Sequence, residues 1–406
     1  MGLGLQRPWI VTSSRIDNGE LHIEVDFEVG AKFLGGKVHD TVRRSWRHLN
    51  FWQYPTYIHA RTPRLVQDDG KVFQVEVPWA RPGSGFTALF EAVALAMAKS
   101  MPVSEVARNL KMDDMALWRL MELAVGFARE RADYRDVVRV GLDETASKRG
   151  HRYITTFVDL DKRRVIFACP GKGIETIRHF KEDFKLHGGD PVRVHTISCD
   201  MSPAFLSGIG EHFPKAEVVL DKFHLVKLVS DAVDSVRKEE VGKYSNAKGC
   251  RYLFLKNPNN LTEAQIYRLD DLLANEAYAK TAEAYRLRLT FQHLFHQTPD
   301  CAAPYLNSWI AAALSSGIDE IMRVARTFES LKDKILSWFA KRVSNGILEG
   351  LNSVLQSAKA RARGYANTKH MILISYLIHG KLDLSQQVLL RTRRQRNMST
   401  AIAHTI

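Results

Sequence analysis

The sequence predicts an α/β fold, on three observations. Two short apolar runs, VVRVGLD and PVRVHTISCD, read as buried strands that close on the carboxylates Asp143 and Asp200. From about residue 134 to 226 the runs follow the order strand, strand, strand, helix, strand, helix, strand. A long segment of helical period then leads to a further helix, SNGILEGLNSVLQ, which carries Glu349.

Residues 1–85 alternate short β-like runs, Leu21 to Val29, Tyr54 to Ala60 and Lys71 to Val77, with turn clusters, so a β-rich N-terminal region is expected. Cations and rings are interleaved there: Arg43, Arg44, Trp46, Arg47, His48, Trp52, Tyr54, Tyr57, His59, Arg61 and Arg64. Such mixing suits phosphate contacts from the cations and stacking by the rings. It equally suits a small β-domain whose aromatics are the core and whose arginines are a solvated rim. Both readings stand at this point.

Residues 86–132 change to helical period. FTALFEAVALAMAKS, VSEVARNL and DDMALWRLMELAVGFARE give three helices, the last two parted by a short turn around Lys111 and Met112. This is the layout of a helix-turn-helix, with Asp113 or Asp114 capping the candidate recognition helix and Arg119 on it. Asp114 and Glu122 on the same helix leave room for a purely structural three-helix connector.

Residues 133–226 supply the strands Val137 to Leu142, Arg152 to Val158, Arg164 to Ala168, Val192 to Ser198 and Glu217 to Leu220, with helices from about Ile174 to Leu186 and Pro203 to His212. An antiparallel meander followed by strand, helix, strand, helix, strand is the order of a ribonuclease-H-like domain. Residues 227–340 read as an all-α insertion, and residues 341–385 return with the Glu-bearing helix. On that helix Glu349, Asn352, Ser353 and Gln356 share a polar face, opposite an apolar stripe of Ile347, Leu351, Val354 and Ala358. Residues 386–406 form a basic tail with Arg391, Arg393, Arg394 and Arg396.

An acid at a strand end is commonly a loop residue, but Asp143, Asp200 and Glu349 come in the order a metal-dependent phosphoryl-transfer site needs. Three converging carboxylates suit hard Mg²⁺ or Mn²⁺, and two such ions about 3.5 to 4 Å apart would clamp the attacking and leaving oxygens of a phosphodiester. Strand alternation points Glu144 to the other face, as a helper or a surface acid. Asp159 and Asp161 read as hairpin-turn residues.

Composition narrows the class. With 406 residues, 45% hydrophobic and 25% charged, the chain is a multidomain globular protein. Lys and Arg number 58 against 45 Asp and Glu, a net charge of +13 that favours a polyanionic partner such as nucleic acid. Cys169, Cys199, Cys250 and Cys301 are too widely spaced for a structural zinc site. The N-terminus lacks a secretory pattern, and the longest apolar stretch, LFEAVALAMA, contains Glu91 and is too short to span a bilayer. A cytoplasmic protein without membrane association is expected.

The blocks VGLDETASKRGHRYITTFVDL, HTISCDMSPAF, VVLDKFHLVK and SNGILEGLNSVLQSAKARARGY resemble the catalytic blocks of DDE insertion-sequence transposases of the ISL-three family. The resemblance extends upstream through TVRRSWRHLNFWQYPTYIHARTPR and VPWARPGSGFT. It implies that Asp143, Asp200 and Glu349 are the metal-binding triad. It also singles out Asp221 and His224 in LDKFH, which resembles an Asp-x-x-His signature; a helix N-cap and a buried histidine are the alternative. Members commonly begin with a cysteine-rich zinc-binding segment, whereas this chain has no cysteine before Cys169, so its N-terminal region must hold together without zinc.

The expected function is therefore a bacterial transposase that binds the terminal inverted repeats of its element, cleaves there and joins the freed 3′-hydroxyl to target DNA, acting as a homo-oligomer on double-stranded DNA. His224 is expected to act as an accessory catalytic group. Arg43, Arg44, Arg47, Arg61, Arg119, Lys148, Arg149, Lys222, Lys359, Arg361 and Arg363 are the candidate DNA contacts. A ribonuclease-H-like nuclease that only hydrolyses, or a DNA-binding repressor with an inactive catalytic domain, are the alternatives.

Overall fold

A computed structural model of the chain describes residues 3–34, 36–67, 69–148, 152–243, 249–341 and 346–385. It divides into two compact units. One combines Met1–Asp133 with Ser353–Ile406, and the other is Tyr134–Asn352.

The first unit opens with a sheet of β1 (Trp9–Asp17), β2 (Glu20–Phe27), β3 (Lys37–Phe51), β4 (Tyr54–Val66) and the short β5 (Val72–Gln74). The strand order is β1-β2-β4-β3, with β5 on β4. Asn18 and Gly19, both at positive φ (48° and 77°), make the tight turn that joins β1 to β2. Cross-strand register builds the core: Ile58 of β4 pairs with Ile23 of β2 and with Trp46 of β3, and Ala60 pairs with Val25. Trp79 then seats its ring edge-to-face against Trp46 and Trp9, at centroid distances of 5.4 and 5.0 Å. All of these side chains are buried.

β1 and β3 lie where the sequence showed no strand. Most of their residues are exposed, so neither carries the apolar alternation that marks a half-buried strand. They are held by pairing and by ion pairs to their neighbours: Arg15 of β1 and Arg43 of β3 with Glu24, and Asp40 of β3 with Arg64.

The expected three helices follow as α1 (Ala88–Ala98), α2 (Val103–Leu110) and α3 (Asp114–Glu130). Lys111 in the left-handed conformation (φ 51°) ends α2, and Asp113 caps α3 by accepting from Ala116 N at 2.9 Å. In this same unit α14 (Thr368–His379) packs on α3, with His370 stacked on Trp118 at 3.7 Å and Arg129 over the Tyr376 ring at 4.5 Å. By contacts, residues from Ser353 on group with the N-terminal helices. Ring stacking between segments far apart in sequence leaves no local pattern by which to find it.

The second unit is built on β6 (Arg139–Lys148), β7 (Arg152–Asp159), β8 (Arg164–Pro170), α4 (Ile174–Leu186), β9 (Thr196–Cys199), α5 (Pro203–His212) and β10 (Glu217–Leu220). Its sheet order is β10-β9-β6-β7-β8, with β6, β7 and β8 antiparallel and β9 and β10 running parallel to β6. β9 is shorter than expected, because Val192 is exposed outside it. β6 is longer: it continues through Asp143 to Lys148 because pairing with β7 persists after pairing with β9 has ended at Gly141. Helices α6 (Lys222–Lys243), α7 (Arg251–Leu255), α8 (Glu263–Ala274), α9 (Ala279–Leu294), α10 (Pro299–Ser315), α11 (Asp319–Ser330) and α12 (Lys332–Lys341) come next and share one apolar core that includes Phe254, Phe291, Trp309 and Phe328.

Helix α13 (Gly346–Arg361) then meets β6 where Gly141 has no side chain: a Cβ there would lie 2.9 Å from Leu348 and 2.8 Å from Leu160. Leu348, Leu355 and Ala358 are its buried residues and Val354 is exposed, so the buried stripe is rotated from the expected one of Ile347, Leu351, Val354 and Ala358. The sequence alone cannot choose between two leucine-containing stripes.

The tryptophan cluster should dominate the stability of the N-terminal sheet. Trp79→Ala is expected to cost about 3–5 kcal/mol by leaving a cavity. Trp79→Phe should cost far less, because it keeps an aromatic ring in place and removes a buried indole N–H that has no hydrogen-bond partner among the described residues. Melting temperatures of the two variants check the ordering; equal losses would refute it.

Candidate active site

The parallel register brings the acids together. Gly141 pairs with Ser198 and Cys199 pairs with Leu220. Carrying those registers onward sets Asp143, Asp200 and Asp221 at one level, where β9 and β10 end and β6 parts from β9. Asp200 and Asp221 thus follow the carboxyl ends of β9 and β10, and Asp143 lies within β6 just past its last residue paired with β9, where open α/β sheets form their crevice.

Each carboxylate has local support. Asp143 accepts from Glu144 N at 2.7 Å and from the side-chain amide of Asn352. Asp200 accepts from Ser202 N at 2.9 Å at the start of α5. Asp221 accepts from Phe223 N at 2.8 Å as α6 begins, and its other oxygen lies 3.0 Å from His224 Nδ1. The N-cap and the functional readings of Asp221 are therefore compatible: one oxygen serves the helix end and the other holds the imidazole. His224 is half-buried.

Burial pushes the Asp143 carboxyl up to about 6, with Asp221 and Asp200 acting in the same direction. Burial and then the charge of Asp200 push Glu144 up to about 7, opposed by Lys172. Glu144 is half-buried and sits in the field of Asp200, so it is not the surface acid that strand alternation suggested. The hydrogen bond that His224 donates to Asp221 raises the His224 pKa above the ordinary histidine value, against the effect of burial.

Glu349 behaves differently. It is exposed, one helical turn before Asn352, and among the described residues no three His, Cys, Asp or Glu side chains are placed to hold a metal ion together. Asp143, Asp200 and His224 are brought into one electrostatic cluster, while Glu349 remains beside it on α13. Asp221 enters the cluster as the resemblance implied. Lys172 and Asn352 were missed as site residues, although the polar face of α13 had already included Asn352; Glu144 fits the helper alternative of the two given for it.

The candidate DNA contacts separate by environment. Arg47 is a correction: it is only 7% exposed, donates to the carbonyls of His48 and Thr56 and to Asn50, and lies over the rings of Phe90 and Tyr57. It is a structural cation that ties β3 to α1, and it has no face left for a phosphate. Arg43 and Arg61 are exposed but engaged with Glu24 and Asp26. Arg44 lies over Trp46 and lines a cavity of about 320 Å³ with Gln74, Arg81 and Phe127. Arg119 is exposed on α3, and Arg361 and Arg363 are exposed at the end of α13, where Arg361 donates to Ser100 O at 2.6 Å. Lys359 is half-buried on that helix. Lys148 is half-buried at the end of β6, and Lys222 lies over the Trp338 ring at 5.6 Å. Arg149 and the arginines of the tail lie outside the described residues.

Comparison with known proteins adds three family matches. Residues 140–375 match a transposase family model, 75–125 match the helix-turn-helix domain of transposase family ISL3, and 33–66 match the zinc-finger of transposases IS204, IS1001, IS1096 and IS1165. Among curated relatives, the transposase for insertion sequence element IS1001 of Bordetella parapertussis is 29% identical over 83% of this chain and 84% of its own length. The transposase for IS1557 of Mycobacterium tuberculosis is 24% identical over 82% and 81%.

The donor set of the zinc-finger match does not fit zinc here. Residues 33–66 contain no cysteine, and their histidines are directed elsewhere: His48 to Thr87, His59 to His22 and Ser45, and His39 to Asp40. The tryptophan core and the cross-strand ion pairs hold this hairpin instead.

The Asp221–His224 pair has a measurable consequence. Asp221→Asn removes the charge that favours the imidazolium, so the His224 pKa should fall. With the folded pKa raised, this pair stabilises the fold fully below the ordinary histidine pKa of about 6.5, and the contribution fades as pH rises through the folded value. Histidine NMR titration of the two proteins tests it; an unchanged His224 pKa in Asp221→Asn would exclude the pairing.

Proposed function

Because this chain belongs to the ISL3 family of transposases, we propose that it binds the terminal inverted repeats of its insertion sequence, cleaves DNA strands there and transfers the freed 3′-hydroxyl to target DNA. That it is a DDE transposase with a DNA-binding helix-turn-helix follows from the family. The observation that carries the finer reading is the row of Asp143 and Asp200 at the ends of parallel strands, with the Glu349 helix docked on the strand that bears Asp143.

The donors suit Mg²⁺ or Mn²⁺, since all are carboxylate oxygens and the cluster carries mutually repelling charge that a hard cation would relieve. Asp143, Asp200 and Glu349 would hold the metal, which when bound supplies charge to activate a water or a 3′-hydroxyl and to stabilise the leaving oxygen. The chain's own residues do the rest. His224, whose pKa is raised by its hydrogen bond to Asp221, would donate a hydrogen bond to a phosphate oxygen near the acids. Lys148, Lys222 and, with them, Arg149 would neutralise phosphates next to the site, and Arg119 on α3 would meet DNA through the helix-turn-helix.

In this reading β6 to β10 with α4 and α5 form a ribonuclease-H-like core, and the helices from α6 to α12 are an all-α insertion between its last strand and α13. The protein acts in the bacterial cytoplasm as a homo-oligomer assembled on DNA. No described helix is long and apolar enough to cross a membrane. A hydrolytic nuclease or a repressor with an inactive catalytic domain is disfavoured by the family matches, which span both the DNA-binding and the transposase segments.

Two expectations test the assignment. Asp143→Asn, Asp200→Asn and Glu349→Gln should each abolish cleavage and strand transfer while leaving binding of terminal-repeat DNA and the melting temperature close to wild type, with Glu144→Gln milder. Near-normal strand transfer by Glu349→Gln would remove it from the triad.

His224→Ala should lower single-turnover cleavage by about 10² to 10⁴, the usual contribution of a positioned acid/base or hydrogen-bonding group. A lower melting temperature with unchanged cleavage in the cold would make His224 a packing residue.

A further inference from the structure

We propose that Asn352 is a positioning residue that latches the Glu349 helix onto the Asp143 strand and so sets the geometry of the metal ligands; this rests on the function proposed above. Gly141, Asp143 and Thr145 lie at alternate positions of β6 and share one face of the strand. Leu348 and Asn352 lie four apart on α13 and share one face of the helix. Leu348 fills the space over Gly141, and Asn352 reaches the next two positions along the strand.

The hydrogen bonds have a fixed direction. Buried Thr145 donates its hydroxyl to Asn352 Oδ1 at 2.7 Å, and Asn352 Nδ2 donates to Asp143 Oδ2. Thr145 thus holds the amide in the one flip state that offers its N–H to the carboxylate. Asp143 Oδ1 takes the backbone N–H of Glu144, so the carboxylate is gripped at both oxygens and its plane is set. Lone pairs remain on each oxygen for a cation.

Aspartate would put like charge against Asp143, and leucine would leave its oxygen without the amide donor, so asparagine is the residue type that can serve both Thr145 and Asp143. The same side chain lies one turn from Glu349. Its hydrogen bonds therefore fix the separation of the first and third acids of the triad.

The test uses the full-length protein and Mn²⁺ as probe. Partners that orient metal ligands typically contribute 10- to 100-fold to metal affinity or activity. Asn352→Ala should therefore raise the half-saturating Mn²⁺ concentration by about 10- to 100-fold, read by calorimetry and by the Mn²⁺-induced shift in melting temperature. Its melting temperature without metal should stay near wild type, and cleavage should recover in part at high Mn²⁺. Thr145→Val, which removes only the donor to Asn352, should shift the Mn²⁺ midpoint in the same direction by less.

Wild-type Mn²⁺ midpoints in both variants would overturn the inference, as would a loss of stability without a change in midpoint. Asp143→Asn is the control. If it loses Mn²⁺ binding while Asn352→Ala does not, the latch alone fails; if it binds Mn²⁺ as wild type does, the metal-site reading itself fails.

Discussion

Electrostatic repulsion among carboxylates at the ends of parallel strands is the constraint to which the second unit is built. Register sets Asp143, Asp200 and Asp221 side by side, and burial denies them the water that would screen them. The unit answers with short, directional donors: Glu144 N and Asn352 to Asp143, Ser202 N to Asp200, and Phe223 N and His224 to Asp221. Two of these donors sit at helix starts, where unsatisfied N–H groups and the helix dipole favour negative charge. Burial first, and then the neighbouring acids, raise the Asp143 and Glu144 carboxyls.

Glycine at position 141 belongs to the same design. The helix that bears Glu349 packs Leu348 into the space over Gly141, where a Cβ would lie 2.9 Å from a terminal methyl of that leucine and force it to shift. Close approach in turn lets an amide as short as that of Asn352 reach Asp143. A packing decision at one residue thus determines the reach of a polar contact two residues along the strand.

The first unit shows how a zinc-finger-like segment can persist without zinc. Three tryptophans meeting edge-to-face take over the core of the sheet, and paired arginines and acids lace its outer face. The interleaving of cations and rings in sequence thereby resolves into distinct roles. Trp46 and Arg47 are interior and Arg43 and Arg61 are paired on the surface, whereas Trp52 stands 81% exposed at the tip of the β3–β4 hairpin. Exposed cation capacity lies instead at Arg119 and at the end of α13.

The order of elements from β7 to β10 and the helix-turn-helix with its Asp113 cap were legible in the sequence by itself, while Asp221 and His224 were singled out by family resemblance and the catalytic roles of Asp143, Asp200 and His224 are proposals. The legible features depend on local pattern: apolar runs ending in acids, helical period, or a short motif. β1 and β3 were not legible, since an exposed strand held by pairing and ion pairs has no apolar alternation. Nor was the burial of Arg47, the grouping of α14 with α3, or the rotation of α13 that buries Leu348 and directs Asn352 to Asp143. Those are contacts between residues distant in the chain, and side-chain packing decides them. Periodicity reports that a helix has an apolar and a polar face; only the shape of the surface it meets, here the gap over Gly141, selects which residues turn inward.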